Sequence, residues 1–324
     1  MASPLRPLSS RLRRALSAAL VTAALAVPAI GAAGPADVPA PAPTAPAALG
    51  AVDPAALADR YAATRTDIVA AERTAAAHGD RGRATALAAM ADPARQFVFF
   101  DGRDDGRSGE VFGDLATARQ IAVLVPGADT DLDSYERLRA GAAALERQLG
   151  DGSAVIAWLG YKTPSTKEPA ILTADRADQA APRLQRFVAQ LRAARPDSRL
   201  SVLCHSYGSV VCGRAAAGLD VSDLVLFGSP GTGYDNVAAL HTRATVWAGR
   251  GATDWIADVP HVKVELPFAT VGFGTDPVSP AFGARVFAAG SGGHSDYLKP
   301  GSPALTGIVR IVLGRTPAPA GPGA

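Results

Sequence analysis

One serine of the sequence lies where a buried strand turns sharply into a helix. Residues 200–204 are mostly apolar and predict a strand, and the residues after Gly208 predict a helix. Such a turn strains the serine backbone and lifts its hydroxyl clear of the sheet, in the arrangement called a nucleophile elbow. Gly208 allows strand and helix to approach closely, whereas Cys204 stands where glycine is more usual. Ser206 is therefore the candidate nucleophile.

A serine hydroxyl is a poor nucleophile at neutral pH, so it needs a neighbouring base to accept its proton. His294 is the candidate base, because it lies in a glycine-rich loop after the last predicted strand. Asp254 follows the preceding predicted strand and could orient the imidazole and stabilise its charged form. The weaker candidates are His261 as the base, Asp258 or Asp235 as the acid, and His205 as a packing or hydrogen-bonding residue.

Acyl transfer also requires donors for the oxyanion that develops on the attacked carbonyl. The backbone N–H of Tyr207 follows the candidate nucleophile directly, at a predicted helix N-terminus. A second donor is expected from the loop after the strand 120–125, where the N–H of Ala128 or Gly127 is the candidate. The candidate substrate-pocket residues are Phe268, Phe273 and Phe282, from the irregular stretch 259–284. Only short segments could cover the site, which predicts an open pocket for short or medium acyl groups.

Around these residues, predicted strands alternate with predicted helices along the chain. The predicted strands, besides the one before the elbow, cover residues 96–101, 110–112, 120–125, 153–159, 223–227, 245–248 and 285–288. Buried strands that alternate with amphipathic helices indicate an α/β fold, a mostly parallel sheet with helices on both faces. Ligands bind beyond the carboxyl ends of strands in such sheets. Ser206, Asp254 and His294 each follow a strand, which places three complementary groups at one edge.

Local signals give further expectations for single elements. Asp133 and Glu136 form a capping-box pattern, which predicts that Asp133 caps the helix that Gly150 ends. Pro182 predicts the start of the next helix. Cys204 and Cys212 are expected to be buried free thiols, because strand and helix layers pack about 10 Å apart, beyond the reach of a disulfide.

The chain is predicted to contain further segments on either side of the sheet domain. Residues 1–33 combine a basic start with an apolar run and resemble a cleaved signal peptide, which predicts a secreted or cell-envelope protein without a stable membrane span. A flexible linker (34–50), a helical extension (51–95), the main domain (96–316) and a disordered tail (317–324) are expected to follow. A retained membrane anchor is the alternative for the first segment.

Composition excludes several classes of function. The 324 residues carry a formal net charge of only +2 and are 48% hydrophobic, which allows a sizeable core. No basic run lies beyond the first segment, so no nucleic-acid partner is expected. Neither a phosphate-binding glycine loop nor a set of metal ligands is visible, so we expect no cofactor and no metal. The expected partner is a small-molecule or lipid ester, and the oligomeric state stays open.

These residues together resemble the serine α/β-hydrolases. The motifs are Pro126-Gly127, residues 204–209, residues 228–231, Asp254 and His294. More closely, residues 96–316 resemble an actinobacterial group of exported α/β-hydrolases known mainly as a domain of unknown function. The resemblance implies a Ser206–Asp254–His294 triad and hydrolysis of carboxylic esters. The alternatives are a peptidase or amidase with the same triad and a catalytically silent cell-envelope binding module.

Overall fold

A computed structural model describes residues 38–44, 48–266 and 269–320 of the chain. The predicted signal segment lies outside the described residues, as do Phe268 and the last four residues of the tail. Among the helices in the described ranges, none has both the length and the apolar character needed to cross a bilayer.

Ten strands are present within the described residues. Their bounds are β1 Gln96–Asp101, β2 Arg107–Gly113, β3 Gln120–Val125, β4 Ser153–Leu159, β5 Arg199–His205, β6 Asp223–Phe227, β7 Thr245–Gly249, β8 Val264–Leu266, β9 Ala269–Val271 and β10 Arg285–Val286. Most match the apolar runs of the sequence to within a residue or two. The final strand is shorter than expected, because only its first two residues pair with β7.

Eight of the strands form one sheet, in the order β1-β2-β4-β3-β5-β6-β7-β10. The six strands β4, β3, β5, β6, β7 and β10 run parallel to one another, whereas β2 pairs antiparallel with both β1 and β4. The central strands are buried along their whole length, as expected for parallel strands covered on both faces. The predicted fold class is therefore confirmed.

In the described ranges, six α-helices cover the two faces of the sheet. Their bounds are α1 Pro54–His78, α2 Arg81–Met90, α3 Glu136–Leu149, α4 Asp175–Ala194, α5 Gly208–Ala215 and α6 Pro303–Val312. Apolar residues of α4 and α5 pack on one face of the sheet, and those of α3 and α6 pack on the other. The helices α1 and α2 confirm the expected helical extension at the N-terminal side.

Two predictions about helix starts are wrong. The helix α3 begins at Glu136 without a side-chain cap, because Asp133 instead forms an ion pair with Arg83 at 2.7 Å. The helix α4 begins at Asp175, so Pro182 lies inside it. Proline lacks the N–H that an internal helix position donates, which favours a place in the first turn. Pro182 lies in the interior of α4 all the same, so a proline by itself does not mark the start of a helix.

Parts of the segments expected to lack structure are ordered against the domain. In the linker, the Thr44 N–H donates to Asp67 of α1 at 2.9 Å, and buried Leu49 donates its N–H to Gln190 of α4 at 2.9 Å. In the tail, Ala318 accepts a hydrogen bond from the Ala288 N–H at 3.0 Å. The backbone groups of these residues form hydrogen bonds with the domain. They are therefore ordered, although their composition is typical of disordered segments.

The two cysteines form a disulfide, so the prediction of free thiols is wrong. Cys204 ends the buried part of β5, and Cys212 lies in the second turn of α5. Their Cα atoms are 6.4 Å apart, within the range that a disulfide spans. The elbow brings the start of the helix much closer to the strand than the ordinary spacing of layers.

Candidate active site

The backbone of Ser206 adopts the conformation expected at the sharp turn. Its φ is +52°, in the left-handed region that residues other than glycine rarely occupy. A Cβ atom built on Gly208 would lie 2.6 Å from the Pro126 carbonyl oxygen, so only glycine fits at this position. The serine hydroxyl consequently lies at the carboxyl end of β5, with strand and helix in close contact below it.

The three candidate side chains lie together at the carboxyl edge of the sheet. His294 Nε2 lies 2.9 Å from Ser206 Oγ, and His294 Nδ1 lies 2.9 Å from one carboxylate oxygen of Asp254. Asp254 follows β7, and His294 lies in the loop between β10 and α6. The loops thus deliver a hydroxyl, an imidazole and a carboxylate from three separate stretches into one hydrogen-bonded line.

The environment of Asp254 favours its ionised form. Burial raises the pKa of this carboxyl, but hydrogen bonds from His294, Tyr297 and the Ile256 N–H outweigh burial and lower the pKa below its ordinary value. The carboxylate is buried and stays negatively charged at neutral pH. It therefore holds the proton of His294 on Nδ1, which leaves Nε2 able to accept the proton of Ser206.

Tyr297 is a part of the site that sequence reasoning missed. Its hydroxyl donates to Asp254 at 2.5 Å and accepts the Gly251 N–H at 3.0 Å. Burial and the hydrogen bond to Asp254 raise the pKa of the Tyr297 hydroxyl, so it stays a donor. Its position three residues after His294 was the only signal in the sequence.

The rings around His294 limit its movement. The Trp255 ring centroid lies 4.5 Å from that of His294 although half of Trp255 is exposed, and the His205 ring lies 4.9 Å away. His205 Nε2 donates to the His294 carbonyl oxygen at 2.8 Å. Burial and the neighbouring His294 lower the pKa of His205 to about 4, so it is neutral at pH 7. His205 thus has the packing and hydrogen-bonding role that was expected.

The loop after β3 lies directly against the candidate nucleophile. A Cβ built on Gly127 would be 2.6 Å from Ser206 Cβ and 3.1 Å from Ser206 Oγ. The Tyr161 hydroxyl fixes this loop by donating to the Pro126 carbonyl oxygen at 2.8 Å. Gly127 of this loop and Tyr207, the residue after the serine, thus lie beside Ser206. The role of their N–H groups, and of the Ala128 N–H, in binding an oxyanion stays a prediction.

Within the described residues, the remaining candidates form no hydrogen bond with Ser206 or His294. Asp235 and Asp258 are exposed, and His261 Nε2 faces Asp276 at 3.8 Å. Phe273 and Phe282 are buried in the core, where Phe273 packs edge-on against the Tyr207 ring. The structure describes Phe273 and Phe282 as packing residues, and their contact with a substrate stays a prediction.

Comparison with known proteins agrees with this architecture. The family model described as alpha/beta hydrolase matches residues 101–264. The uncharacterized protein Rv2079 of Mycobacterium tuberculosis is 31% identical over 243 residues, covering 64% of this chain and 37% of that protein. A second uncharacterized protein of the same organism, Rv0963c, is 32% identical over 186 residues, covering 50% and 70%. The chain therefore spans little more than a third of the first relative's length.

The similar solved structures have low sequence identity to this chain. An α/β serine hydrolase without a lid from Xanthomonas campestris has a TM-score of 0.42 and 18% identity, covering 68% of this chain and 93% of that one. The esterase PE8 has a TM-score of 0.44 and 16% identity, covering 64% and 98%. On the match to the family model, which covers half of its length, this chain belongs to the alpha/beta hydrolase family.

Proposed function

We propose that the chain is an exported serine hydrolase that cleaves carboxylic esters through Ser206, His294 and Asp254. The observation that carries the proposal is the unbroken line of hydrogen bonds from Ser206 Oγ to His294 and from His294 to Asp254, each 2.9 Å long. This order of groups activates a hydroxyl without a metal or a cofactor. In this proposal Ser206 is the nucleophile, His294 is the base and Asp254 is the acid that orients the base.

In the first half of the reaction, Ser206 Oγ attacks the ester carbonyl carbon while His294 Nε2 accepts the hydroxyl proton. The carbonyl π electrons move to the oxygen and form a tetrahedral intermediate. Its collapse breaks the bond to the alcohol oxygen, which leaves with the proton from His294 Nε2. The products of this half are the free alcohol and an acyl group bound to Ser206.

In the second half, His294 accepts a proton from a water molecule that attacks the acyl carbon. The second tetrahedral intermediate collapses and releases the carboxylic acid, and Ser206 Oγ regains a proton from His294. The ionised Asp254 stabilises the charged imidazolium in both halves. The N–H groups of Tyr207 and of Gly127 or Ala128 are the proposed donors to the oxyanion.

Export is part of the proposal because two independent features support it. The basic and apolar segment at residues 1–33 resembles a signal peptide. The Cys204–Cys212 disulfide is of a kind that persists in oxidising compartments and is rare in the cytosol. We therefore propose a secreted or cell-envelope location. The exposed Trp255 beside His294 supports an open site suited to short or medium acyl groups.

Hydrolysis of 4-nitrophenyl butyrate tests the proposal. We expect measurable turnover by the native protein and a loss of about 10³-fold or more in kcat for Ser206→Ala and Asp254→Asn, because each removes one member of the line. Asp258→Asn, at an exposed acid four residues from Asp254, serves as the matched control and keeps full activity. Unchanged turnover by Ser206→Ala would rule out this nucleophile, and a faster reaction with the matching anilide would favour an amidase.

A further inference from the structure

A cavity of about 290 Å³ opens next to the candidate nucleophile. Gly127 and His294 both line it, and both also contact Ser206. The cavity therefore begins at the groups that would handle the scissile ester bond. Its volume is at the lower end of the range that small-molecule sites occupy.

The walls of this cavity are mostly apolar. Leu138 of α3, Leu298 of the loop after His294 and Phe227 all line it. His205 also lines it, and this side chain is uncharged at neutral pH because its pKa is lowered to about 4. A short hydrocarbon chain would therefore be buried in the cavity, and such burial is favourable.

The charged groups of the cavity are all basic. Arg137 and Lys299 line it, and no carboxylate is among its lining residues. Lys299 forms an exposed ion pair with Asp296 at 2.6 Å, whereas Arg137 has no ion pair within the described part of the chain. The neighbouring acid Glu136 is engaged elsewhere, with Arg95 at 3.1 Å and Arg139 at 3.7 Å. Arg137 is thus left with its positive charge facing the cavity opening.

Two further observations support a positive potential at this opening. Arg137 lies in the first turn of α3, where the helix N-terminus also favours negative charge. The Arg137 guanidinium is close enough to His205 to contribute to the lowering of its pKa, after burial and His294. An arginine with free donors binds a carboxylate or a similar anion in a bidentate manner.

We infer that the preferred substrates are esters whose chain ends in an anion, with the chain in the apolar cavity and the anion at Arg137. This inference rests on the proposed function for the reaction itself and adds the substrate class. The selectivity comes from one exposed cation, so its effect on affinity is modest. We expect a preference of about fivefold over an uncharged analogue, decreasing as salt screens the charge.

A matched pair of ligands separates charge from shape. Monomethyl adipate carries a carboxylate at its far end, and the corresponding terminal amide is similar in size but neutral. Binding of both compounds to the Ser206→Ala protein is measured by calorimetry, which requires no hydrolysis. For Ser206→Ala we expect about fivefold tighter binding of the anion. Adding Arg137→Gln to this variant should give equal binding of both compounds, and adding Arg137→Lys instead should restore the preference.

The control is Arg147→Gln, which removes an exposed arginine in the last turn of the same helix, away from the cavity. It is expected to keep the full preference for the anion. Equal binding of the two compounds by Ser206→Ala, or an anion preference that survives Arg137→Gln, overturns the inference. Hydrolysis of the neutral ester by the native protein tests the proposed function separately, so the two claims can fail independently.

Discussion

Each reactive atom in the candidate site is constrained by neighbours that do not react. Asp254 is held by Tyr297 as well as by His294, and the His294 backbone is held by His205. Such supporting contacts fix rotamers and keep the reacting groups in line. The function of the site should therefore depend on side chains that never contact the substrate.

Tyr297→Phe tests this dependence at the residue scale. The variant removes a hydrogen bond to a charged group, so we expect the pKa of Asp254 to rise and kcat/KM to fall by about tenfold. Asp254 has a folded-state pKa below its ordinary value of 3.8, so its contribution to stability is present above that value and is lost as pH falls through the lowered pKa. Tyr297→Phe should reduce that contribution.

Urea unfolding of both proteins between pH 7 and pH 3 measures the effect. The difference in free energy of unfolding should be largest at pH 7 and should shrink toward pH 3. Tyr161→Phe, which removes a hydroxyl donated to an uncharged carbonyl oxygen, should change stability by the same amount at both pH values. A pH-independent difference for Tyr297→Phe would contradict its role in holding the ionised carboxylate.

The reactive residues could be predicted because their positions follow from the alternation of strands and helices. Ser206, Asp254 and His294 each come just after a strand, and parallel strands end at one edge. Tyr297 could not be identified in this way, because its position three residues after His294 does not by itself show that its hydroxyl will reach Asp254. Contacts of this kind depend on the path of a loop, which local patterns do not determine.

At the scale of elements, the disulfide joins the strand before the elbow to the helix after it. Cys204 and Cys212 are fully buried and flank Ser206 on both sides in the sequence. The link closes a short loop, which restricts the unfolded chain and also holds β5 against α5. The strained backbone of Ser206 lies inside this closed loop.

Replacement of both cysteines by alanine should lower the free energy of unfolding by about 2–3 kcal/mol, because a short loop is no longer closed in the unfolded state. Urea unfolding under non-reducing conditions measures the change. The native protein in the same buffer should contain no reactive thiol after denaturation. A midpoint that does not move, or two titratable thiols in the native protein, would contradict the account of this linkage.

The elements themselves were mostly predictable, and the exceptions have physical causes. The buried strands are continuous apolar runs, so their bounds were close to those observed. Asp133 has the sequence context of a cap, but Arg83, fifty residues earlier, binds it instead. A local sequence pattern cannot reveal a long-range ion pair of this kind.

At the scale of the whole molecule, the helical extension is joined to the sheet by a buried charge cluster. Arg95 follows α2 and forms a bidentate ion pair with Glu110 of β2. Its Nε and Nη2 atoms lie 2.7 Å and 2.8 Å from the two carboxylate oxygens. The same guanidinium reaches Glu136 at the start of α3. The extension expected to be a separate segment is therefore tied to the central domain.

Arg95→Met should lower the free energy of unfolding by about 3 kcal/mol, because it leaves the buried Glu110 without its main partner. Thermal or urea unfolding measures the loss. The control is Arg103→Met, which removes an exposed arginine paired with Asp101 and should cost no more than about 1 kcal/mol. Similar small losses in both variants would show that the extension is not held in this way.

Labelling with a fluorophosphonate probe shows whether Ser206 is an activated nucleophile. We expect the native protein to be labelled at Ser206, as located by mass spectrometry, and Ser206→Ala to remain unlabelled. Ser222→Ala, at the opposite end of β6 from the site, should be labelled like the native protein. A correctly folded native protein that stays unlabelled, or a Ser206→Ala variant that still reacts, would contradict the account.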